Sequence, residues 1–95
     1  GVEAVAVVIR IPAALRPVVG GRAEFEVQAA TVRGALEQAI AQWPALRRHL
    51  YGEDGRLRSY VNVYVNEEDI RWGAGEASEV AAGDVITIVP SIAGG

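Results

Sequence analysis

One amphipathic stripe in the middle of the chain constrains the fold more than any other feature. Its apolar side chains are Val32, Ala35, Leu36, Ala39, Ile40 and Trp43. Spacings of three and four residues place such side chains on one side of an α-helix. Thr31 is suited to cap the start of this helix, and Pro44 prevents helical geometry at Trp43. The sequence therefore predicts one main helix with an apolar face that must pack against another element.

Segments with alternating apolar and polar side chains lie on both sides of this helix. Residues 5–11 and 22–27 alternate with period two, and Gly20-Gly21 suits a tight reversal, so we predict a hairpin. Ala23 would point inward in its second strand, and the chain would loop from Pro12 through Pro17. The remaining predicted elements are a short helical turn at 44–50, a strand at 59–66, a short strand at 70–72 and a last strand at 84–90.

This order of elements lets the helix cover one face of a mixed sheet. It predicts an α+β fold, a ubiquitin-like or β-grasp roll, with the first and last strands adjacent and parallel at the centre. The sheet residues expected under the helix are Val5, Val7, Ile9, Phe25, Val61, Val63, Ile86 and Ile88. Because we find no repeat or linker, we expect a single domain over residues 1–95, with a flexible tail at 91–95.

Composition excludes several classes of function. The chain has no cysteine, which removes disulfides, thiolate metal sites and thiol nucleophiles, and it has no lysine. The net charge of -3 is the opposite of the basic excess of nucleic-acid binders. No stretch approaches the length of an apolar membrane span. We therefore expect a cytoplasmic protein with no bound metal or cofactor, and with neither nucleic acid nor membrane as partner.

The sequence ends in Ala93-Gly94-Gly95, directly after the last predicted strand. Two glycines have no side chain, so such a tail can thread a narrow channel and present its carboxylate to another protein's active site. The same residues also suit a frayed terminus. The position after a buried strand favours the functional interpretation.

Four segments together resemble the ubiquitin-like sulfur carriers, the group that includes the small subunit of molybdopterin synthase and the thiamine-pathway carrier. They are residues 61–71 (Val-Asn-Val-Tyr-Val-Asn-Glu-Glu-Asp-Ile-Arg), residues 82–90 (Ala-Gly-Asp-Val-Ile-Thr-Ile-Val-Pro) and the ending 93–95. Residues 11–17 (Ile-Pro-Ala-Ala-Leu-Arg-Pro) are similar to the CysO-type carriers of cysteine synthesis. The resemblance covers nearly the whole chain.

The resemblance implies a carrier and not an enzyme. An E1-like enzyme would use ATP to adenylate the carboxylate of Gly95, and a sulfur donor would then convert it to a thiocarboxylate. Gly94 and Gly95 carry over as the reacting terminus, with Ala93 in the narrow tail and Ile92 as an apolar anchor. Implied recipients are a cysteine-synthase-like or thiazole-synthase-like enzyme, with a metalloprotease releasing a product from the tail.

We expect the sheet face opposite the helix to dock these partners, because exposed aromatic and aliphatic side chains often mark protein interfaces. The side chains predicted to be exposed there are Val8, Tyr60, Tyr64, Val85, Thr87 and Val89. The alternative is ordinary surface, since apolar atoms make up much of any protein surface.

Other interpretations remain open. One is a protein modifier that forms isopeptide bonds as ubiquitin does, because modifiers and carriers both begin with adenylation of the terminus. The small subunit of molybdopterin synthase and a plain β-grasp interaction module are further alternatives. The carboxylates at 67–69 are interpreted as a solvated hairpin turn, because they lack the spacing of a calcium loop. A basic and aromatic region could contact an acidic partner. It comprises Arg47, Arg48, Arg56 and Arg58 with Tyr51 and Tyr60.

Overall fold

A computed structural model describes residues 3–91, and a five-stranded mixed sheet lies at their centre. The strands are β1 (Val5–Arg10), β2 (Glu24–Ala29), β3 (Val61–Val65), β4 (Glu68–Asp69) and β5 (Val85–Pro90). Their order across the sheet is β2-β1-β5-β3-β4. β1 and β5 run parallel, whereas the other neighbouring pairs are antiparallel. The predicted ubiquitin-like roll with adjacent, parallel first and last strands is therefore confirmed.

The main helix α1 (Val32–Gln42) forms as the stripe predicts. Thr31 caps it, since its Oγ1 accepts a hydrogen bond of 3.1 Å from the backbone N–H of Gly34. A 3₁₀ helix (Pro44–Leu46) and the short α2 (Arg47–Leu50) follow. The stripe residues Val32, Ala35, Leu36, Ala39 and Ile40 are all buried.

The core lies between α1 and one face of the sheet. Val7, Ile9, Leu36 and Ile86 are fully buried. Burial of each such side chain stabilises the folded state by about 1.5–3 kcal/mol, because its apolar surface leaves water. The ring of Phe25 packs against that of Trp43, with centroids 6.3 Å apart. The remaining predicted sheet residues, Val61, Val63 and Ile88, are also buried, and Val5 packs against the core while partly exposed.

The connection between β1 and β2 differs from the predicted loop. A 3₁₀ helix (Ala13–Val19) begins after Pro12, because proline φ is compatible with a helical start and Leu15 and Val19 become buried by it. The helix ends at Gly20, whose φ of 66° is left-handed. β2 consequently begins two residues later than predicted, and Ala23 is exposed instead of inward.

The segment after β3 also differs. We predicted a strand at 70–72, but the short strand β4 comes earlier, and Ile70–Trp72 forms a 3₁₀ helix. The reason is local: Oδ1 of Asp69 accepts a hydrogen bond of 2.8 Å from the backbone N–H of Arg71, which caps this turn. Asp69 is only 6% exposed, so the interpretation of this position as part of a solvated turn was wrong. A further 3₁₀ turn, Gly75–Ala77, lies in the connection to β5.

Candidate functional site

β5 brings the chain to the point where the tail leaves the sheet. Its last residue, Pro90, pairs with Val61, the first residue of β3. The next residue, Ser91, donates its backbone N–H to the carbonyl of Tyr60 at 2.6 Å. Nδ2 of Asn62 donates to Oγ of Ser91 at 2.7 Å. The chain is therefore hydrogen-bonded to β3 up to Ser91. We call Ser91 the tail base.

The four predicted tail residues follow the tail base. Ile92, Ala93, Gly94 and Gly95 lie outside the residues that the structure describes. Their roles stay predictions.

The predicted docking residues lie together on the sheet face opposite α1, which we call the outer face. Val8 pairs with Val85 and Tyr64 pairs with Thr87, and each alternates along its strand with a core residue. Val89 extends the same row toward the tail base and is 41% exposed. Val8, Tyr64, Val85 and Thr87 are half-buried.

Tyr60 lies next to this row, immediately before β3, and is 41% exposed. Its carbonyl holds the tail base, so the aromatic ring belongs to the residue that anchors the departing chain. Binding by Tyr60 and the other outer-face residues remains a prediction. Their arrangement places exposed and half-buried apolar side chains next to the tail base.

An ion pair lies at the far edge of the outer face, where β4 pairs with β3. Tyr64 pairs with Asp69, and the guanidinium of Arg71 donates to both carboxylate oxygens of Asp69, with Nη2 2.6 Å from Oδ2. The pKa of Asp69 is lowered, chiefly by the side-chain hydrogen bond from Arg71 and secondly by the backbone N–H of the same residue. Trp72 follows and is 80% exposed, a surface aromatic that the predicted strand did not single out.

A second pair of residues fixes the start of β5. Asn66 has a left-handed φ of 56°, and its Oδ1 accepts the backbone N–H of Val85 at 3.0 Å. Its Nδ2 donates to Oδ1 of Asp84 at 3.1 Å, while Oδ2 of Asp84 accepts the N–H of Ala81 at 2.8 Å. We call this arrangement the Asn66–Asp84 clamp. It holds the turn after β3 against the start of β5, so the strand that carries the tail is fixed at both ends.

The most perturbed titratable group is a buried phenol on the helix side. Burial raises the pKa of Tyr51 well above its ordinary value of 10.0, and the hydrogen bond to Glu76 raises it further. The guanidinium of Arg33 lies 5.1 Å from the centre of its ring. Tyr51 therefore stays protonated at neutral pH and ties α1 to the connection before β5.

Residues 3–91 contain neither a metal-binding cluster nor a membrane-spanning helix. Over that range, no group of three or more histidine, cysteine or carboxylate side chains is arranged to hold a metal ion. Within the same part of the chain, every helix is too short or too polar to cross a bilayer.

Comparison with known proteins identifies the family. The ThiS family profile matches residues 9–95 of this chain. The chain belongs to the ThiS family. This match includes the end of β1, all later strands, the Asn66–Asp84 clamp and the terminal glycines.

Two sulfur carriers are similar to this ThiS-family chain over nearly its whole length. The sulfur carrier protein CysO of Mycobacterium tuberculosis is 35% identical over 94% of this chain and 98% of its own. Its crystal structure superposes with a TM-score of 0.84, covering 90% of this chain and 99% of that one. A crystal structure of an Amycolatopsis orientalis BexX/CysO complex contains a chain that is 37% identical, with a TM-score of 0.86 and coverage of 94% and 99%.

A modifier is also similar to this ThiS-family chain. The small archaeal modifier protein 1 of Haloferax volcanii is 39% identical over 70% of this chain and 71% of its own. The fold and the sequence are those of the ubiquitin-like sulfur carriers of the ThiS and CysO type.

Proposed function

We propose that the whole chain is one sulfur carrier domain whose Gly95 carboxylate is activated and converted to a thiocarboxylate. The observation that carries the proposal is the family match, which runs through to Gly95, on a fold whose last strand ends at the tail base beside an exposed apolar face. This arrangement delivers a main-chain carboxylate to a partner without any catalytic side chain in the carrier.

The chemistry requires activation because a carboxylate has no good leaving group. In the first step a carboxylate oxygen of Gly95 attacks the α-phosphorus of ATP on an E1-like enzyme, and pyrophosphate leaves. In the second step a sulfur donor attacks the carbonyl carbon of the mixed anhydride, and AMP leaves with the bridging oxygen. The sulfur that remains on the carbonyl is the nucleophile for the recipient enzyme.

The outer face is the proposed docking surface for the activating enzyme. Val8, Tyr60, Tyr64, Thr87 and Val89 would contact the partner, in keeping with the enrichment of aromatic side chains in interfaces. Ile92 would anchor the start of the tail. Ala93 and Gly94 would thread the channel because they carry little or no side chain.

The recipient of sulfur is proposed by class. The similarity to CysO favours a cysteine-synthase-like enzyme, with a metalloprotease releasing the product from the tail. The BexX/CysO complex is an example of a CysO carrier bound to a protein partner. The alternative recipient is a thiazole-synthase-like enzyme. We expect the protein to act in the cytoplasm, where ATP and these enzymes are available.

The test uses the full chain with the recombinant E1-like enzyme of the same organism, ATP and a sulfide donor. Intact-mass spectrometry should show a gain equal to the replacement of one oxygen by sulfur. A chain that lacks Gly95 should show no gain, whereas Gln38→Glu, at an exposed position on α1 away from the outer face, should react as the unaltered chain does. Absence of both pyrophosphate release and the mass gain with the unaltered chain would refute the proposal.

A second measurement, on proteins from cells that express the chain, separates the carrier from a protein modifier. Both functions begin with adenylation, so pyrophosphate release alone does not distinguish them. A modifier would give isopeptide-linked Gly-Gly remnants on lysines of other cellular proteins after proteolysis. A carrier gives the thiocarboxylate and no such remnants.

A further inference from the structure

Arginine side chains collect at the end of the sheet from which the tail departs, which we call the tail end. β1 and β5 finish there, at Arg10 and Pro90, and β3 begins there at Val61. The arginines that the chain brings to this end are Arg10, Arg16, Arg22, Arg47, Arg48 and Arg58.

One group of these arginines flanks β5 on the β1 side. Arg10 and Arg16 line an open groove of about 400 Å³ together with Thr87 and Val89 of the outer face. Nε of Arg16 donates to the carbonyl of Ile11 at 3.2 Å, which holds the base of the guanidinium while the side chain stays exposed. The charge is therefore fixed beside the strand that leads to the tail.

A second group flanks the tail base on the β3 side. The N–H of Val61, which pairs with Pro90, donates to the carbonyl of Arg58 at 2.9 Å. Nε of Arg58 in turn donates to the carbonyl of Arg48 at 2.8 Å. Arg48 and Arg58 are thereby held on the opposite side of the departing chain from Arg10 and Arg16.

Few of these charges are neutralised by carboxylates in residues 3–91. Arg10 and Glu24 form a loose, exposed pair at 3.8 Å, and Arg47 pairs with Glu37 at 3.2 Å. Over the same range, the guanidinium groups of Arg16, Arg48 and Arg58 have no carboxylate within 4.0 Å.

The carboxylates lie mainly at the other end of the sheet. Those after β3 and before β5 are Glu67, Glu68, Asp69, Glu76, Glu79 and Asp84. The tail end has a carboxylate of its own at Glu24, and arginines also lie outside it, at Arg33, Arg56 and Arg71. The overall charge of -3 thus conceals a basic tail end and an acidic far end.

We propose that the basic tail end is a docking surface for an acidic rim around the channel of the protein that receives the tail. The inference rests on the proposed function, because the partner with the acidic rim is the enzyme that activates the tail. Opposite charges raise association rates and orient two proteins before contact, and this effect weakens with salt. A carrier with charge at one end approaches such a channel with the tail forward.

A protein partner fits this surface better than nucleic acid does. The arginines lie on two flanks with the apolar side chains of Tyr60 and Val89 between them, which is the composition of a protein interface. A phosphate backbone would instead be repelled by the acidic far end and by the net charge.

The test measures adenylation by the E1-like enzyme at about 50 mM and about 500 mM NaCl, concentrations that change screening strongly. The double variant Arg10→Gln and Arg48→Gln should lower kcat/KM roughly three- to tenfold at low salt with kcat unchanged, and the difference should vanish at high salt. Replacement of both by lysine should restore the rate. The matched control, Gln38→Glu with Ala74→Glu, changes the net charge by the same amount at exposed positions on α1 and in the connection before β5, and should leave kcat/KM within about twofold.

Each outcome decides one question. If the unaltered chain is adenylated and both double variants behave alike, or if kcat falls with KM unchanged, the docking surface is refuted while the carrier function stands. If the unaltered chain is not adenylated, the proposed function fails and the surface assignment fails with it. Binding of a fluorescent single-stranded oligonucleotide that the glutamine variant abolishes would assign the surface to nucleic acid instead.

Discussion

The side chain of Asn62 holds the residue from which the tail departs: its Nδ2 lies 2.7 Å from Oγ of Ser91. Ser91 is also bonded through its N–H to the carbonyl of Tyr60. Two bonds at one residue define both the position and the direction of the chain as it leaves β5. The main chain is therefore fixed as far as Ser91.

Asn62→Ala should loosen this point without unfolding the protein. Because the bond is exposed, we expect a loss of no more than about 1 kcal/mol in the free energy of unfolding. The amide hydrogen of Ser91 should exchange several-fold faster, since its bond to Tyr60 loses support. Ser91→Thr keeps the hydroxyl and serves as the control, with exchange close to that of the unaltered chain. Equal exchange in Asn62→Ala and the unaltered chain would contradict this role.

Asn66→Ala should be more damaging. The substitution removes the hydrogen bonds to Val85 and Asp84 and leaves a β-carbon at a left-handed φ, so we expect a loss of about 2–3 kcal/mol in urea denaturation. Asn66→Gly removes the same bonds but tolerates the backbone conformation, and its loss should be smaller by about 1 kcal/mol. A glycine variant less stable than the alanine variant would show that the left-handed backbone is not part of the cost.

Gly20 and Gly21 form a matched pair for a test of packing. Both have positive φ, so alanine at either position costs about 1 kcal/mol of backbone strain. A β-carbon on Gly20 would also lie 3.1 Å from the ring of Trp43, whereas one on Gly21 would meet nothing within 4 Å. Gly20→Ala should therefore lower the free energy of unfolding by roughly 1 kcal/mol more than Gly21→Ala does. Thermal denaturation measures the difference, and equal midpoints would exclude the contact with Trp43.

The Asp69–Arg71 pair predicts a pH dependence of stability. Hydrogen bonds from Arg71 hold the pKa of Asp69 below its ordinary value of 3.8, so the folded state binds this proton less readily than the unfolded state. The contribution is present above that value and is lost as the pH falls through the lower, folded pKa. The difference in urea midpoint between the unaltered chain and Asp69→Asn should shrink from about pH 7 to about pH 3. Glu68→Gln, at an exposed neighbour, is the control, and a constant difference for Asp69→Asn would contradict the assignment.

Much of the fold follows from local sequence rules. The stripe from Val32, the Thr31 cap and the alternation in β1, β3 and β5 are periodic patterns that the sheet and helix reproduce. What sequence reasoning missed depends on contacts between distant segments. The helix after Pro12 forms because Leu15 reaches the core, and proline spacing alone does not distinguish such a helix from a loop.

Only part of the candidate site could likewise be predicted from the sequence. The outer-face residues could be predicted from strand alternation, because a period of two assigns every second side chain to one face. The clamp could not, since Asn66 and Asp84 are separated along the chain and each is an ordinary turn residue on its own. The basic tail end also needed the topology: Arg10 and Arg58 are distant in sequence and flank the same strand only because β5 lies between β1 and β3.

β5 is the last strand in the sequence and the central strand of the sheet, so the sheet is completed only when synthesis has reached β5. β1–β2 and β3–β4 emerge from the ribosome first, and neither pair can join the other until the strand that separates them in the sheet has been made. A product truncated before Val85 would leave two sheet fragments with unpaired strand edges, and such edges promote aggregation. The complete sheet therefore forms only after translation has passed the last strand.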